Sequence, residues 1–274
     1  AMQASPFSPR NLFRALGRPF PVKTADPSVL NKIAFQTKIE GSSKNVSISD
    51  GTLDIDDSRL LFSTGVKDFS GPDVAFNIEL DRIDLDRYLP PAGKKPQEGT
   101  EKKSAQTIEN KHTDYAQLRK LVLEGTIKVD DLKVHGANIK DIFMKAAAKK
   151  GVFNLDPITL KLYEGDVSSK GILDFRQNTP KTKMTLQVKG VMVNPLLKDV
   201  MNKDFLYGTL VAALDLSMSG DDAEKMKKTL SGNGDLLFND GAILGIDLAD
   251  MVRNAKAAFG LAKQEGTERP RTDF

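Results

Sequence analysis

Cysteine and tryptophan are both absent from the 274 residues. The first absence excludes disulfides and thiolate metal sites, and it is compatible with an oxidising compartment without requiring one. The second, with aromatic residues at only 7%, leaves little from which to build a sugar-stacking platform. Histidine is nearly missing as well: His112 and His135 cannot supply a histidine-rich metal site, nor a Ser-His-Asp set within one half of the chain. No run approaches the roughly 18–20 apolar residues of a membrane-spanning helix. The start, AMQASPFSPR, lacks the basic and apolar regions of a secretory signal. Gly232-Asn233-Gly234 is a lone small turn with no P-loop or GxGxxG around it, so no nucleotide site is expected. An excess of one charge sign is lacking too. Forty basic and 37 acidic residues are interspersed, for a formal charge of +3, and carry no nucleic-acid footprint.

What remains is ordinary for a globular chain, 39% apolar and 28% charged, but it is written twice. VSISDGTLDIDDSRLLFSTGVKDF (46–69) aligns with VFNLDPITLKLYEGDVSSKGILDF (152–175) without a gap. Val46 meets Val152, Asp50 meets Asp156, Gly65 meets Gly171, and Asp68-Phe69 meets Asp174-Phe175. After a short insertion, Phe76, Ile78, Leu80, Ile83, Leu85 and Leu89 meet Met184, Leu186, Val188, Val191, Val193 and Leu197. An internal period of this kind marks a structural unit that stacks on its own copy. Three parts are expected: a first unit over 1–89, a flexible linker over 90–113 and a second unit over 114–274. PPAGKKPQEGTEKKSAQTIENKH has almost nothing to bury, which is why it reads as the linker.

Alternation with period two dominates both units and predicts half-buried antiparallel strands. In the first, Ile33, Phe35, Thr37 and Ile39 alternate. Strand pieces at 46–48 and 53–55 flank an Asp50-Gly51 turn, and strands at 60–66 and 74–80 follow. In the second unit, strands are predicted at 121–130, 132–135, 139–148, 152–155, 158–163, 167–175, 182–189, 191–193 and 209–219. Two more, 234–238 and 242–244, surround an Asn239-Asp240-Gly241 turn. KAAAKK (145–150) has high helix propensity, but the repeat places it opposite strand 33–41, and strand is the expectation. Short helices are predicted at 6–20 with Ser8 as cap, at 195–202 with Asn194 as cap, and at 221–231. TADPSVL (24–30) and 114–120 read as short turns or helical turns. A last helix, 247–262, carries Leu248, Met251, Val252, Ala255, Phe259 and Ala262 on one stripe, with Arg253 and Lys256 opposite. Its stripe packs on the sheet or, as the alternative, lies on a membrane. The fold class is thus β-rich α+β: two repeated antiparallel sheet units forming a curved sheet or open groove, with short helices capping or covering it.

The carboxylates Asp54, Asp56 and Asp57, and Asp81, Asp84 and Asp86, could in principle line up for a hard cation. Ile55, Ile83 and Leu85 alternate with them and point inward, so the acids read as a solvated face. His135 reads as a surface residue. No cofactor and no metal are expected.

Several segments resemble the internal part of AsmA-family proteins. In the first unit these are PFSPRNLFRALG (6–17), TADPSVL (24–30), LDIDDSRLLFS (53–63) and ELDRIDLDRYLPP (79–91). In the second they are LEGTIKVDDLKVHGANIKD (123–141), GVFNLDPITLKLYEGDVSSKGILDF (151–175), LLKDVMNKDFLYGTLVAALDLSMSGD (196–221) and SGNGDLLFNDGAILGIDLADMVRNA (231–255). The resemblance covers nearly the whole chain, and the terminal TDF is similar to the start of the family's next strand, so an internal fragment is expected. The resemblance implies a periplasmic body anchored to the inner membrane by a helix outside this segment. It further implies a relation to bridge-like lipid-transfer proteins, whose repeated sheets curl into a hydrophobic groove, and a role in lipid transport and outer-membrane biogenesis. No catalytic residues come with it.

The leading expectation is a non-enzymatic groove for phospholipid acyl chains, lined by Phe62, Val74, Phe76, Ile78, Leu80, Met184, Leu186, Val188, Leu210, Leu214 and Leu216. In the competing arrangement those side chains fill a closed sheet-on-helix core. The alternative function is a structural or protein-interaction scaffold in outer-membrane protein assembly, pairing through exposed edge strands with neighbouring segments. A hydrolase using Asp56 or Asp84 is the third and weakest reading.

Overall fold

The computed structural model describes residues 1–90 and 114–244, together with the backbone of 271–273. The linker expected at 90–113, apart from Pro90, and the helix expected at 247–262 lie outside the described residues, as does His112.

The chain builds one open, curved, thirteen-stranded sheet whose spatial order is its sequence order. β1 (Met2–Phe7), β2 (Ile33–Gly41), β3 (Val46–Ile55), β4 (Ser58–Val66) and β5 (Asp73–Asp84) form an antiparallel meander. β6 (Val122–Val134) pairs parallel to β5 along its whole length, from Asp73 opposite Val122 to Asp84 opposite Lys133. β7 (Ala137–Lys149), β8 (Val152–Leu162), β9 (Gly165–Asp174), β10 (Lys181–Met192), β11 (Leu206–Ser219) and β12 (Ser231–Leu244) resume the antiparallel meander, and β13 (Arg271–Asp273) adds a short last strand. Residues on both sides of 91–113 therefore share a single sheet.

Among the described residues, five short helices sit at its two rims. α1 (Pro9–Ala15) follows β1, α2 (Leu85–Tyr88) follows β5 and α4 (Val193–Met201) follows β10, all beside the rim marked by Ile33, Ile55, Leu162 and Met192. α3 (Ala116–Lys120) precedes β6 and α5 (Ala223–Thr229) follows β11, at the opposite rim. Ser8 caps α1, accepting from the Asn11 N–H at 3.2 Å, with Pro9 in the first turn. Asp222 caps α5 in the same way, accepting from Lys225 N–H at 2.8 Å.

Four local expectations are corrected. β1 precedes the first helix, which is shorter than 6–20. Asp50-Gly51 is no turn but a bulge inside the continuous strand β3, with Asp50 at φ 49° and the register slipping between Ile48 and Gly51. Asn239-Asp240-Gly241 is likewise an irregularity within β12, opposite Gly208, where the ladder slips between Tyr207 and Thr209. Asn194 does not cap α4: the helix begins earlier, with Met192 at the cap position and no side-chain bond, and Asn194 lies inside its first turn and donates to Asp204 at 2.7 Å. At 145–149 strand prevails over helix propensity, since these residues lie in β7 and Ala146, Ala147 and Ala148 pair with strands on both sides.

The buried core is small. Among the described residues the buried hydrophobics are Val29, Tyr115, Ala146, Ala148, Val188, Val191, Val193, Ala212 and Ala242. Two packed centres hold the rims. Leu196 of α4 covers Val188, Val191 and Ala212. At the other rim Tyr115 meets the Phe175 ring at 5.2 Å, and Phe175 meets Phe153 at 5.3 Å.

Candidate functional site

Register decides which side chains share a face. Phe62 on β4 stands opposite Ile78, Thr64 opposite Phe76, and Val66 opposite Val74. Across the parallel join, Ile78 lies beside Ile127, Phe76 beside Gly125 and Val74 beside Leu123. The row through Ile78 continues to Met144, Ile158, Ser169, Leu186 and Leu214 and ends at Gly234, while on the other side it begins at Gly51. One transverse row thus runs from β3 to β12 with a single polar member. Ser169 is itself buried and donates its hydroxyl to the Thr185 carbonyl at 2.7 Å. A parallel row runs from Phe76 through Gly125, Ala146, Leu155, Gly171 and Met184 to Leu216.

All eleven residues expected to line a groove fall on this face. Phe62, Val74, Phe76, Ile78 and Leu80 occupy β4 and β5; Met184, Leu186 and Val188 occupy β10; Leu210, Leu214 and Leu216 occupy β11. Val188 is buried under α4, and the other ten are half-buried. Sequence reasoning omitted the middle of the same face: Leu123, Ile127 and Val129 on β6, Ile142 and Met144 on β7, and Phe153, Leu155 and Ile158 on β8. Their alternation was the available signal; what was missing was the register that joins them to the flanking strands.

The opposite face is mostly polar, with Leu61, Ile172 and Leu237 exposed among its charged and polar residues. Asn77 and Thr126 hydrogen-bond across the parallel join. Lys128 pairs with Glu79 at 3.5 Å, Lys145 with Glu124 at 3.2 Å and Lys170 with Asp156 at 3.1 Å. These cross-strand pairs are solvent-exposed and contribute little each; together they keep that face wet.

Among the described residues, cover on the apolar face is confined to the rims. Helix packing on the sheet is chiefly α4 on β11 and β7, α5 on β11, and α2 on β6. Among the described residues no helix packs substantially on β3, β4, β5, β8 or β9. A hollow of about 710 Å³ lies on the opposite, polar face, lined chiefly by Lys170, Ile172, Lys183, Thr185, Asp215 and Ser217. Another, of about 600 Å³, lies at the α2 rim among Arg82, Ile83, Leu132, Ile139 and Lys140, where Lys133 pairs with Asp84 at 3.7 Å.

The carboxylates singled out in the sequence hold turns. Asp56 (φ 53°) accepts from the Leu30, Asn31 and Lys32 N–H groups at 2.6, 2.9 and 3.1 Å and from the Tyr88 hydroxyl at 2.9 Å. Burial raises the Asp56 carboxyl, but the N–H bonds from Leu30 and Asn31, the Tyr88 hydroxyl and the Lys32 N–H outweigh it and hold the group below its ordinary value. Burial and the Asp56 bond push Tyr88 up to about 12. Asp54 pairs with Arg59 at 2.7 Å, and Asp57 meets Arg87 at 3.4 Å. Asp81 accepts from the Arg59 N–H, Asp84 caps α2, and Asp86 accepts from the His135 and Gly136 N–H groups. Arg87 also pairs with Asp26 at 2.8 Å; Asp26, held first by the Ser28 hydroxyl and N–H, is drawn down to about 2. His135 is exposed in the β6–β7 turn. Among the described residues no His, Asp or Glu group could hold a metal ion, and no helix is long and apolar enough to cross a membrane.

Comparison with known proteins places these features. The model of the AsmA family matches residues 22–274. Over 232 residues the chain is 21% identical to Protein AsmA of Escherichia coli (strain K12), an alignment covering 81% of this chain and 38% of that protein. The chain thus spans well under half the length of that relative. No solved structure matches.

Proposed function

The chain belongs to the AsmA family, and we propose that it is a non-enzymatic periplasmic segment of an inner-membrane protein, offering its apolar sheet face to phospholipid acyl chains on their way to the outer membrane. The observation that carries this is the row from Gly51 to Gly234, continuous across ten strands and, among the described residues, without a second layer over most of it. A sheet with one apolar face ordinarily buries it against another element. At about 4.8 Å per strand the row is roughly 40 Å long, and each acyl methylene laid against it gains about 0.8 kcal/mol. Head groups would stay in water beyond a rim. We also read the two halves, 1–89 and 114–274, as copies of one unit, with α2 and α4 in corresponding places.

Phospholipid co-extracted with the purified chain and identified by mass spectrometry is the expected result. Phe76→Asp and Leu186→Asp should remove it while circular dichroism keeps its strand signal. Wild-type protein without bound lipid, even after incubation with phospholipid micelles, overturns the proposal.

A second reading has its own observation. β13 pairs with β12 only at Ala242–Leu244, so the outer edge of Ser231–Gly241 has no strand beside it among the described residues. That stretch carries no lysine or proline to discourage strand addition, which favours a scaffold extended by a neighbouring strand. Phe238→Pro should abolish such pairing and leave lipid extraction intact.

A further inference from the structure

Residues 1–25 contain no aspartate or glutamate and four basic residues. Arg10 is used internally: it donates to the Val29 carbonyl and Thr24 hydroxyl at 2.6 Å each and lies over the Phe20 ring at 4.7 Å. Arg14, Arg18 and Lys23 make no ion pair among the described residues. Beside them α1 and the segment after it present Leu12, Leu16 and Val22 to solvent, Leu16 at 64% exposure. Nine strands away, the end of α4 repeats the combination. Val200, Met201 and Phe205 are exposed, Met201 at 57%, and Lys198 and Lys203 have no acidic partner among the described residues. The nearby acids are occupied: Asp199 accepts from Asn138 at 3.1 Å and Tyr163 at 2.7 Å, and Asp204 accepts from Asn194 and Tyr207 at 2.7 and 2.5 Å.

Both patches lie beyond the same rim. α1 follows Phe7, which stands opposite Ile33, and α4 follows Met192. Apolar tips with unpaired cations at matching positions answer two things at once: hydrocarbon at shallow depth and negative charge around it. We infer that this rim docks on an anionic phospholipid bilayer, Leu16 and Met201 entering the acyl boundary while Arg14, Arg18, Lys198 and Lys203 meet lipid phosphates. An acidic protein surface would satisfy the cations but not two separated apolar tips. This goes beyond the groove proposal and does not depend on lipid filling the groove.

Because tryptophan is absent from the sequence, Leu16→Trp and, separately, Met201→Trp give reporters without background. With vesicles of phosphatidylglycerol and phosphatidylethanolamine, both emissions should shift to the blue and be quenched by brominated acyl chains. Vesicles of phosphatidylcholine should give little change. Arg14→Gln with Arg18→Gln should weaken flotation with the anionic vesicles about tenfold or more, and added salt should do the same. Phe76→Asp, which tests the groove, should float like wild type. Wild-type protein that fails to float in low salt overturns the inference. So does flotation without acyl-chain quenching of either reporter, which would reduce the contact to charge adsorption without apolar entry. Leu16→Asp and Met201→Asp that keep the fold and float undiminished overturn it too.

Discussion

Phe62 and Phe76 lie across glycines of neighbouring strands rather than standing up from the sheet. A Cβ on Gly51 would come within 2.7 Å of the Phe62 ring, and one on Gly125 within 2.5 Å of the Phe76 ring. Flattened rings keep the apolar surface shallow, and they cover backbone that glycine leaves bare. Gly125→Ala is therefore expected to cost about 1–3 kcal/mol by forcing Phe76 out of place, read from urea unfolding. Gly171 occupies the same row, yet its Cβ would meet Leu155 no closer than 3.6 Å. Gly171→Ala should be neutral or stabilising by about 0.5–1 kcal/mol. Asp56 supplies the residue-scale pH dependence. Its folded pKa is lowered, so its stabilisation is complete above the unfolded carboxylate value and is lost as pH falls through the folded one. Asp56→Asn keeps a residue tolerant of positive φ but loses the charge and one strong acceptor. It should cost about 1–2 kcal/mol at neutral pH, and the gap from wild type should close as pH drops from about 5 to below 3 in denaturation series.

At the scale of elements, α4 is where the apolar face acquires a cover. Leu196 sits on Val188, Val191 and Ala212, the last two nearly or fully enclosed. Leu196→Ala is expected to cost about 2–3 kcal/mol in chemical denaturation while leaving the strand signal unchanged. Strands were legible from the sequence because alternation is local: each of β2 to β12 contains a stretch read as strand before its partners were known. Their joins were less legible. Asp50-Gly51 and Asn239-Asp240-Gly241 have turn composition, and only the ladder on both sides shows that the chain bulges and carries on. Asn194-Pro195 has the composition of a helix start, but the helix already begins at Val193 and puts Asn194 inside its first turn. The eleven lining residues could be placed on one face because each pair of neighbouring positions obeys period two. The missing central third of that face belonged to strands whose alignment with the rest no residue announces.

For the whole molecule the decisive arrangement is the one least visible in the sequence, the parallel pairing of β5 with β6. Nothing at Asp73 or Val122 distinguishes a parallel from an antiparallel neighbour. β5 ends at the α2 rim, and β6 returns to the rim where β5 began, Val122 standing opposite Asp73. Without that return, every strand from β6 onward would run the other way, and α4 would emerge at the rim opposite α2. With it, the two helix-bearing exits share a side, and the long trough acquires a permanent left and right bank. On the acyl-chain path proposed above, a detergent-like guest shuffling sideways from strand to strand would never have to somersault, since its head group could stay on the same hand for the entire crossing.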